Sequence, residues 1–328
     1  MAHQTLYDIP DCLEELEVFC GSSHPQLARD ICACLDIPLG ETFIDRFAND
    51  NIYVQIRENV REKDIYVVQT AAPPVSEHLM ELFLMVDALK HASARRVTVV
   101  MPYYAYVRSD KKDAPRISVA ARLVADLLEA AGADRILTMN LHSEQVQGFF
   151  RCPTDHLTAV PILCDYFTEN VVDLSDYVVI SPDAGSAKRA GRYAERLGLP
   201  LAIGDKRRDG KQKDHAVVDQ IVGDVNGKNV IIFDDEIATA GSMISLAQVI
   251  REKYDVGRIL AGAAHGVLVG PAIERLAASE IEQIVVTDSL PLPPEKQIDK
   301  IKQVPVAPLL ASAIYAIHTG ESVSSLFR

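Results

Sequence analysis

The stretch Val230-Ile231-Ile232-Phe233-Asp234-Asp235-Glu236-Ile237-Ala238-Thr239-Ala240-Gly241-Ser242 decides how this chain is read. Its first four residues predict a short strand buried on both faces. The adjacent carboxylates Asp234 and Asp235 stand at the carboxyl end of that strand, and the small residues 238–242 then turn into a helix. Backbone N–H groups at a helix start bind phosphate without a charged side chain. Paired carboxylates grip sugar hydroxyls, directly or through Mg²⁺. A sugar phosphate therefore suits the arrangement. The same residues also suit an ordinary strand-to-helix turn whose acids cap the helix.

The surrounding sequence repeats this rhythm. Apolar runs predict strands at 18–20, 65–69, 97–101, 136–141, 177–180, 201–203, 259–263 and 284–286. Between them lie helical patterns. One carries Leu27, Ile31 and Leu35, with Ser23 as its cap and Pro25 in its first turn. Another presents Leu79, Leu82, Phe83, Val86 and Leu89 on one face. A third spans 117–131 and stops at Gly132, and a last one lies around 309–317. Alternation of this kind predicts an α/β protein with mainly parallel sheets flanked by helices. A chain of 328 residues suggests two domains, and the segment 153–161 is the junction. We expect an N-terminal domain over 1–157 and a C-terminal one over 158–328, with the last ~20 residues packing on the first. No residue-level repeat is visible, though both halves follow the same logic.

Hydrophobic residues make up 48% and charged ones 24%, the balance of a packed globule. The net charge of −13 argues against a nucleic-acid surface, which would be basic, but leaves a nucleotide substrate open. No apolar run is long enough to span a membrane, and the N-terminus lacks a signal-peptide pattern. The expected location is the cytoplasm. Cys12, Cys20, Cys32, Cys34, Cys152 and Cys164 include no CxxC pair and no zinc spacing, so they read as small apolar residues in a reducing compartment.

Open α/β sheets bind ligands beyond the carboxyl ends of their strands. Polar residues collect there. His142 follows one strand and could meet a cation or a phosphate, or be an ordinary structural histidine. Asp183, in Ser181-Pro182-Asp183-Ala184-Gly185, could face a cation or cap a helix. Lys206 and Arg208 share a face if their strand continues, where they would suit charge on a transferring phosphoryl group. With Arg207, Lys211 and Lys213 they could equally form a solvated loop. The run from Pro102 to Asp113 has an aromatic start and a charged end, and Arg108 could reach a polyphosphate from it or lie in a solvated loop. Residues 44–54 read as a hairpin with a polar tip, where Phe47 could stack on a base or sit in a core.

Side by side, these segments closely resemble the ribose-phosphate diphosphokinase (phosphoribosyl pyrophosphate synthetase) family from about residue 18 to the end. The resemblance is carried by Leu79-Met80-Glu81-Leu82, the run from Pro102 to Arg108, Thr138-Met139-Asn140-Leu141-His142 and Gln145-Val146-Gln147-Gly148-Phe149-Phe150. It continues through the Asp183 turn, Asp205-Lys206-Arg207-Arg208, His265-Gly266-Val267-Leu268 and the ending Gly320-Glu321-Ser322-Val323-Ser324-Ser325-Leu326-Phe327. The resemblance implies two tandem domains of type I phosphoribosyltransferase-like fold. It implies transfer of a diphosphoryl group from ATP to the 1-hydroxyl of ribose 5-phosphate, with Mg²⁺ required and phosphoribosyl pyrophosphate and AMP as products.

Residue by residue, the resemblance makes His142 and Asp183 the holders of the Mg²⁺ of Mg-ATP. Arg108, with its neighbour Ser109, and His142 match nucleotide-contacting positions. The tip carrying Phe47, Asn49, Asp50 and Asn51 matches a loop that reaches the adenine of a neighbouring subunit. Lys206 and Arg208 match the catalytic loop cations, and Arg208 also counts with the sugar-phosphate site. Asp234 and Asp235 match the ribose-hydroxyl ligands, and Ala238, Thr239, Ala240, Gly241 and Ser242 the 5-phosphate loop. The family implies a homo-oligomer, a hexamer built from dimers. It implies no nucleic-acid or membrane partner.

Several positions depart from the family pattern. The phosphate loop usually reads Asp-Thr-Gly-Gly-Thr, so Ala238 and Ala240 replace an acid and a glycine. The nucleotide tip usually reads Asp-Gly-Glu, where this chain has Asn49-Asp50-Asn51. Ser109 replaces a common Gln, and Ser186 a Gly. Two other functions are therefore weighed: a catalytically weakened homologue that regulates an active partner, and a phosphoribosyltransferase. Retention of Lys206, Arg208, His142, Asp183, Asp234 and Asp235 argues against the first, and the first-domain segments against the second.

Overall fold

Short apolar strands alternating with helices build one main sheet in each of two units. The computed structural model describes residues 15–208 and 216–327. They divide into one compact unit that runs to Leu157 and resumes at Val306, and a second from Thr158 to Pro305.

In chain order the first unit contains β1 (Leu16–Cys20), α1 (Pro25–Leu35), β2 (Thr42–Arg46), β3 (Ile52–Ile56), β4 (Asp64–Val68), α2 (Val75–His91), β5 (Arg96–Met101), α3 (Ala120–Ala131), β6 (Arg135–Met139) and β7 (Thr154–Leu157). The five strands β1-β4-β5-β6-β7 form a parallel sheet in that order, while β2 and β3 pair as a separate antiparallel hairpin. Every residue of β4 is buried, as a parallel strand covered on both faces requires. Gly132 ends α3 at φ 108°, a left-handed cap that glycine adopts without steric cost. Pro25 opens α1 as expected, but its cap is His24, whose Nδ1 accepts the Leu27 N–H at 3.4 Å. Ser23 is not the cap, because its Oγ is drawn to the Thr70 N–H at 3.0 Å, beyond the end of β4.

The second unit contains α4 (Val160–Asn170), β8 (Tyr177–Ser181), α5 (Ala187–Leu197), β9 (Leu201–Arg208), β10 (Ala216–Val222), β11 (Lys228–Ile237), α6 (Gly241–Lys253), β12 (Val256–Gly266), α7 (Ala272–Ala277), β13 (Gln283–Thr287) and β14 (Ile301–Val304). Its sheet runs β10-β9-β8-β11-β12-β13-β14, parallel except at β10. α8 (Ala307–Thr319) returns to the first unit.

The two units repeat one plan. Each runs strand, helix, hairpin, strand, helix, strand, helix, strand, strand, and β8-β11-β12-β13-β14 reproduces the order β1-β4-β5-β6-β7. They differ in the hairpin, which extends the sheet in the second unit and stands apart in the first. The duplication lies in the architecture, where no residue repeat announced it.

Several boundaries differ from those expected of the sequence alone. β11 does not stop at Phe233 but carries Asp234 and Asp235 within it, because β12 keeps pairing along its length, with Asp234 opposite Ala263 and Glu236 opposite His265. That pairing outweighs the low strand propensity of Asp. β9 likewise runs to Arg208 because β10 pairs with it. β6 ends at Met139, since Asn140 takes a left-handed φ of 45° that no strand continues through.

Candidate active site

In the second unit the site is built around β11. Phe233 stacks on Tyr193 of α5, with ring centroids 4.0 Å apart and planes within 8°, and meets Phe167 of α4 edge-on at 5.4 Å. Asp235, two residues on and on the same face by strand alternation, is buried and pairs with Arg189 of α5 at 3.1 Å. Arg189 and Tyr193 are one helical turn apart, so a single helix face supports both contacts. Asp234 points to the opposite face, and its Oδ1 accepts the Asp235 N–H at 2.9 Å. Asp234 as a residue is half-buried. Burial pushes its pKa well above the usual carboxylate range, and the hydrogen bond and charge of Asp235 push the same way. Adjacent acids thus sit in unlike environments, one paired with a guanidinium and one whose pKa is raised.

Beyond Ile237 the chain turns through 238–240 into α6, which begins at Gly241. α6 has no side-chain cap. The expectation that the acids cap this helix is not met. The Ala240 carbonyl accepts the Ile244 N–H at 3.0 Å. Among the described residues the N–H groups of Gly241, Ser242 and Met243 have no protein acceptor, which is the condition of an anion-binding helix start. Ala240 holds φ 60°, a conformation that costs a non-glycine residue about 1 kcal/mol. Arg275 Nη1 braces the same loop by donating to the Thr239 carbonyl at 3.0 Å.

Asp183 lies in the turn after β8, next to β11 in the sheet. Its Oδ1 accepts the N–H and the hydroxyl of Ser186, each at 2.9 Å, while Ser181 Oγ donates to its carbonyl at 2.8 Å. Ser186, which departs from the family pattern, thus helps to orient this carboxylate. β9 passes close by. A Cβ at Gly204 would lie 2.8 Å from the Pro182 carbonyl oxygen, so only glycine allows the approach. The backbone of Lys206 and Arg208 continues β9. Their side chains lie outside the described residues.

In the first unit, Arg108 and His142 follow β5 and β6, neighbours in the sheet. Arg108 is exposed in a turn over 105–108, and the Ser109 N–H donates to the Tyr106 carbonyl at 2.8 Å. Leu141 N–H donates to His156 Nε2 at 2.9 Å, fixing the segment that carries His142. The hairpin tip is held by the Phe47 N–H to Asn51 carbonyl bond at 2.9 Å and by the pair Arg46–Asp50 at 2.9 Å, while Asn49 Oδ1 accepts the Asn51 N–H at 3.4 Å. Phe47 is 56% exposed, touching Tyr53 edge-on at 5.4 Å, so it is not a core residue. The first turn of α2 joins these pieces: Glu77 pairs with Arg46 of the hairpin, and Ser76 Oγ lies 2.9 Å from the Tyr106 hydroxyl.

Sequence reasoning missed Arg189, Tyr193 and Arg275. The first belongs to the charged series Lys188, Arg189, Arg192 on a polar helix, which reads as solvated surface. A basic residue six positions after a candidate acid was the available signal, and it is a weak one. Burial disfavours the thiolate at three described cysteines, pushing Cys20 up to about 11 and Cys32 and Cys164 up to about 12. Among the described residues no helix is long and apolar enough to cross a membrane.

Known proteins resemble this chain in sequence and fold. Residues 16–132 match the profile of the N-terminal domain of ribose phosphate pyrophosphokinase, 159–259 that of a phosphoribosyl transferase domain, and 211–328 that of a phosphoribosyl synthetase-associated domain. The chain is 50% identical over 318 residues to the ribose-phosphate pyrophosphokinase of Deinococcus radiodurans, covering 95% of this chain and 98% of that protein. It is 47% identical over 317 residues to that of Bacillus caldolyticus, covering 97% and 99%. The crystal structure of phosphoribosylpyrophosphate synthetase from Mycobacterium smegmatis matches with a TM-score of 0.88 at 40% identity, over 94% of this chain and 100% of that one. The chain belongs to the ribose-phosphate pyrophosphokinase family.

Proposed function

We infer that the chain is a diphosphotransferase acting on ATP and ribose 5-phosphate, with phosphoribosyl pyrophosphate and AMP as products. The observation that carries this reading is the juxtaposition in β11 and α6 of a carboxylate pair with an uncapped helix start, a matched receptor for sugar hydroxyls and a sugar phosphate. In this reading the N–H groups of 241–243 hold the 5-phosphate, and Asp234 and Asp235 take the ribose hydroxyls.

The anomeric oxygen then attacks the β-phosphorus in line. No covalent protein intermediate is needed, so the work is positioning and charge neutralisation. Lys206 and Arg208 meet the charge that develops on the transferred group. Arg108 and Ser109 hold the triphosphate, and Phe47, with Asn49, Asp50 and Asn51, receives the adenine of a neighbouring subunit in a homo-oligomer. Mg²⁺ arrives with the nucleotide. Asp183 would offer the oxygen donor such a hard cation takes, and His142 would be a second candidate ligand. Among the described residues no cluster of three or more potential ligands builds a resident cage, which suits a metal held chiefly by substrate phosphates. Incubation with ribose 5-phosphate and Mg-ATP yields AMP in this account, and EDTA abolishes it. Absence of AMP, or formation of ADP instead, rejects the reading.

A further inference from the structure

We propose that Arg189 is a positioning residue for the sugar site: its guanidinium anchors Asp235 beneath the sheet and thereby fixes the Asp234-Asp235 pair in the geometry that receives the ribose hydroxyls. The proposal rests on the reading of those two acids as sugar ligands.

Three observations carry it. The Asp235 side chain is only 5% exposed, and its partner Arg189 lies 3.1 Å away. A buried carboxylate stripped of its cation is strongly destabilised and moves or takes up a proton. Second, the Asp235 N–H is bound to Asp234 Oδ1 at 2.9 Å, so a shift of one acid is passed to the other. Third, the helix that carries Arg189 is itself fixed to β11 one turn further on, where Tyr193 stacks on Phe233 at 4.0 Å. The Tyr193 hydroxyl is buried and makes no hydrogen bond among the described residues, so this second contact is one of packing. The amino end of α5 also adjoins the Ser186 bonds that orient Asp183. One helix thus supports both acidic positions of the unit.

The test is steady-state kinetics on the full-length enzyme with Arg189→Gln, Arg189→Lys, Asp235→Asn, Asp234→Asn and the double variant Arg189→Gln/Asp235→Asn. Arg189→Gln is expected to raise KM for ribose 5-phosphate about tenfold or more while KM for Mg-ATP stays within about twofold. Arg189→Lys recovers part of the loss. In the Asp235→Asn background, Arg189→Gln adds less than about twofold, because the two residues act as one unit. Should Arg189→Gln not fold, Arg189→Lys carries the same test, its shorter and differently shaped cation giving an intermediate rise for the sugar alone. Equal losses for both substrates, or effects that simply add in the double variant, would make Arg189 a structural residue and overturn the proposal. If the two Asp→Asn variants weaken ribose 5-phosphate while Arg189→Gln does not, the proposal falls and the sugar site stands. If neither Asp→Asn variant affects the sugar, the site reading itself falls and takes the proposal with it.

Discussion

His318 Nδ1 lies 2.6 Å from Oδ2 of Asp64, and both side chains are almost wholly buried. The contact ties the last helix to a central strand of the first unit. Arg96 completes it, donating through Nε to Asp64 Oδ1 at 2.7 Å and through Nη2 to the Ile317 carbonyl at 3.2 Å, while the Tyr66 hydroxyl donates to the Ile314 carbonyl at 3.3 Å. Burial alone would push Asp64 up. The hydrogen bonds from His318 and Arg96, with their charges, outweigh it and hold the carboxyl below its ordinary value.

Asp64→Asn should therefore cost on the order of 2 kcal/mol, since it leaves the half-buried Arg96 guanidinium without its counter-charge. Urea unfolding at pH 7 measures the loss. The sign of the pH dependence follows from the depressed pKa. The stabilisation is complete above the unfolded carboxyl pKa of about 4 and is lost as pH falls through the lower folded value. The gap between wild type and Asp64→Asn should close below about pH 4. A constant gap at all pH values would show that Asp64 is not ionised in the fold.

Ala240→Gly should stabilise the protein by up to about 1 kcal/mol, because glycine relieves a left-handed backbone that alanine adopts at a cost, less the extra freedom glycine gives the unfolded chain. The strain is read from φ 60° at the turn into α6. Ala240→Val should destabilise. Thermal unfolding distinguishes the two, and a loss of stability on Ala240→Gly would contradict the assigned conformation.

Asp234→Asn should weaken ribose 5-phosphate binding and yet stabilise the fold by on the order of 1 kcal/mol at pH 7. Its pKa is raised by burial and by Asp235, so its charged form is penalised and a neutral isostere escapes that penalty. Calorimetric titration with the sugar phosphate and a thermal melt read the two halves separately. Unchanged affinity would show that the sugar lies elsewhere.

Lys206→Ala should lower kcat by about a hundredfold or more while changing KM for ribose 5-phosphate little, as expected of a cation that meets charge only in the transition state. Equal losses in both quantities would count against that role.

The strand–helix rhythm was legible because parallel strands buried on both faces are written as apolar runs, as at Val97–Met101 within β5. The edge strands β7 and β14 were not, since Thr154-Asp155-His156-Leu157 and Ile301-Lys302-Gln303-Val304 carry polar residues at half their positions or more. The lengths of β9 and β11 were hidden for a related reason: their polar ends are held by neighbouring strands that local sequence does not specify. Glu81 stood out only as part of a family segment. Its carboxylate proves to be a buried acceptor for the Ser22 N–H at 2.6 Å, the Ser22 hydroxyl at 2.8 Å and Gln69 Nε2 at 2.6 Å, joining the ends of β1 and β4. At the site, the acids and small residues of 234–242 were visible as types. Their unlike environments were not, because Arg189 arrives from another helix and burial is a property of the fold.

The most direct measurement follows the phosphorus itself. ATP labelled with ³²P at the β position is incubated with ribose 5-phosphate, Mg²⁺ and the enzyme, and the products are separated. Attack by the anomeric oxygen on the β-phosphorus predicts that all transferred label appears in the pentose product and that the nucleotide released is unlabelled AMP. Label leaving as ADP, with a single phosphoryl group passed to the sugar, would contradict it.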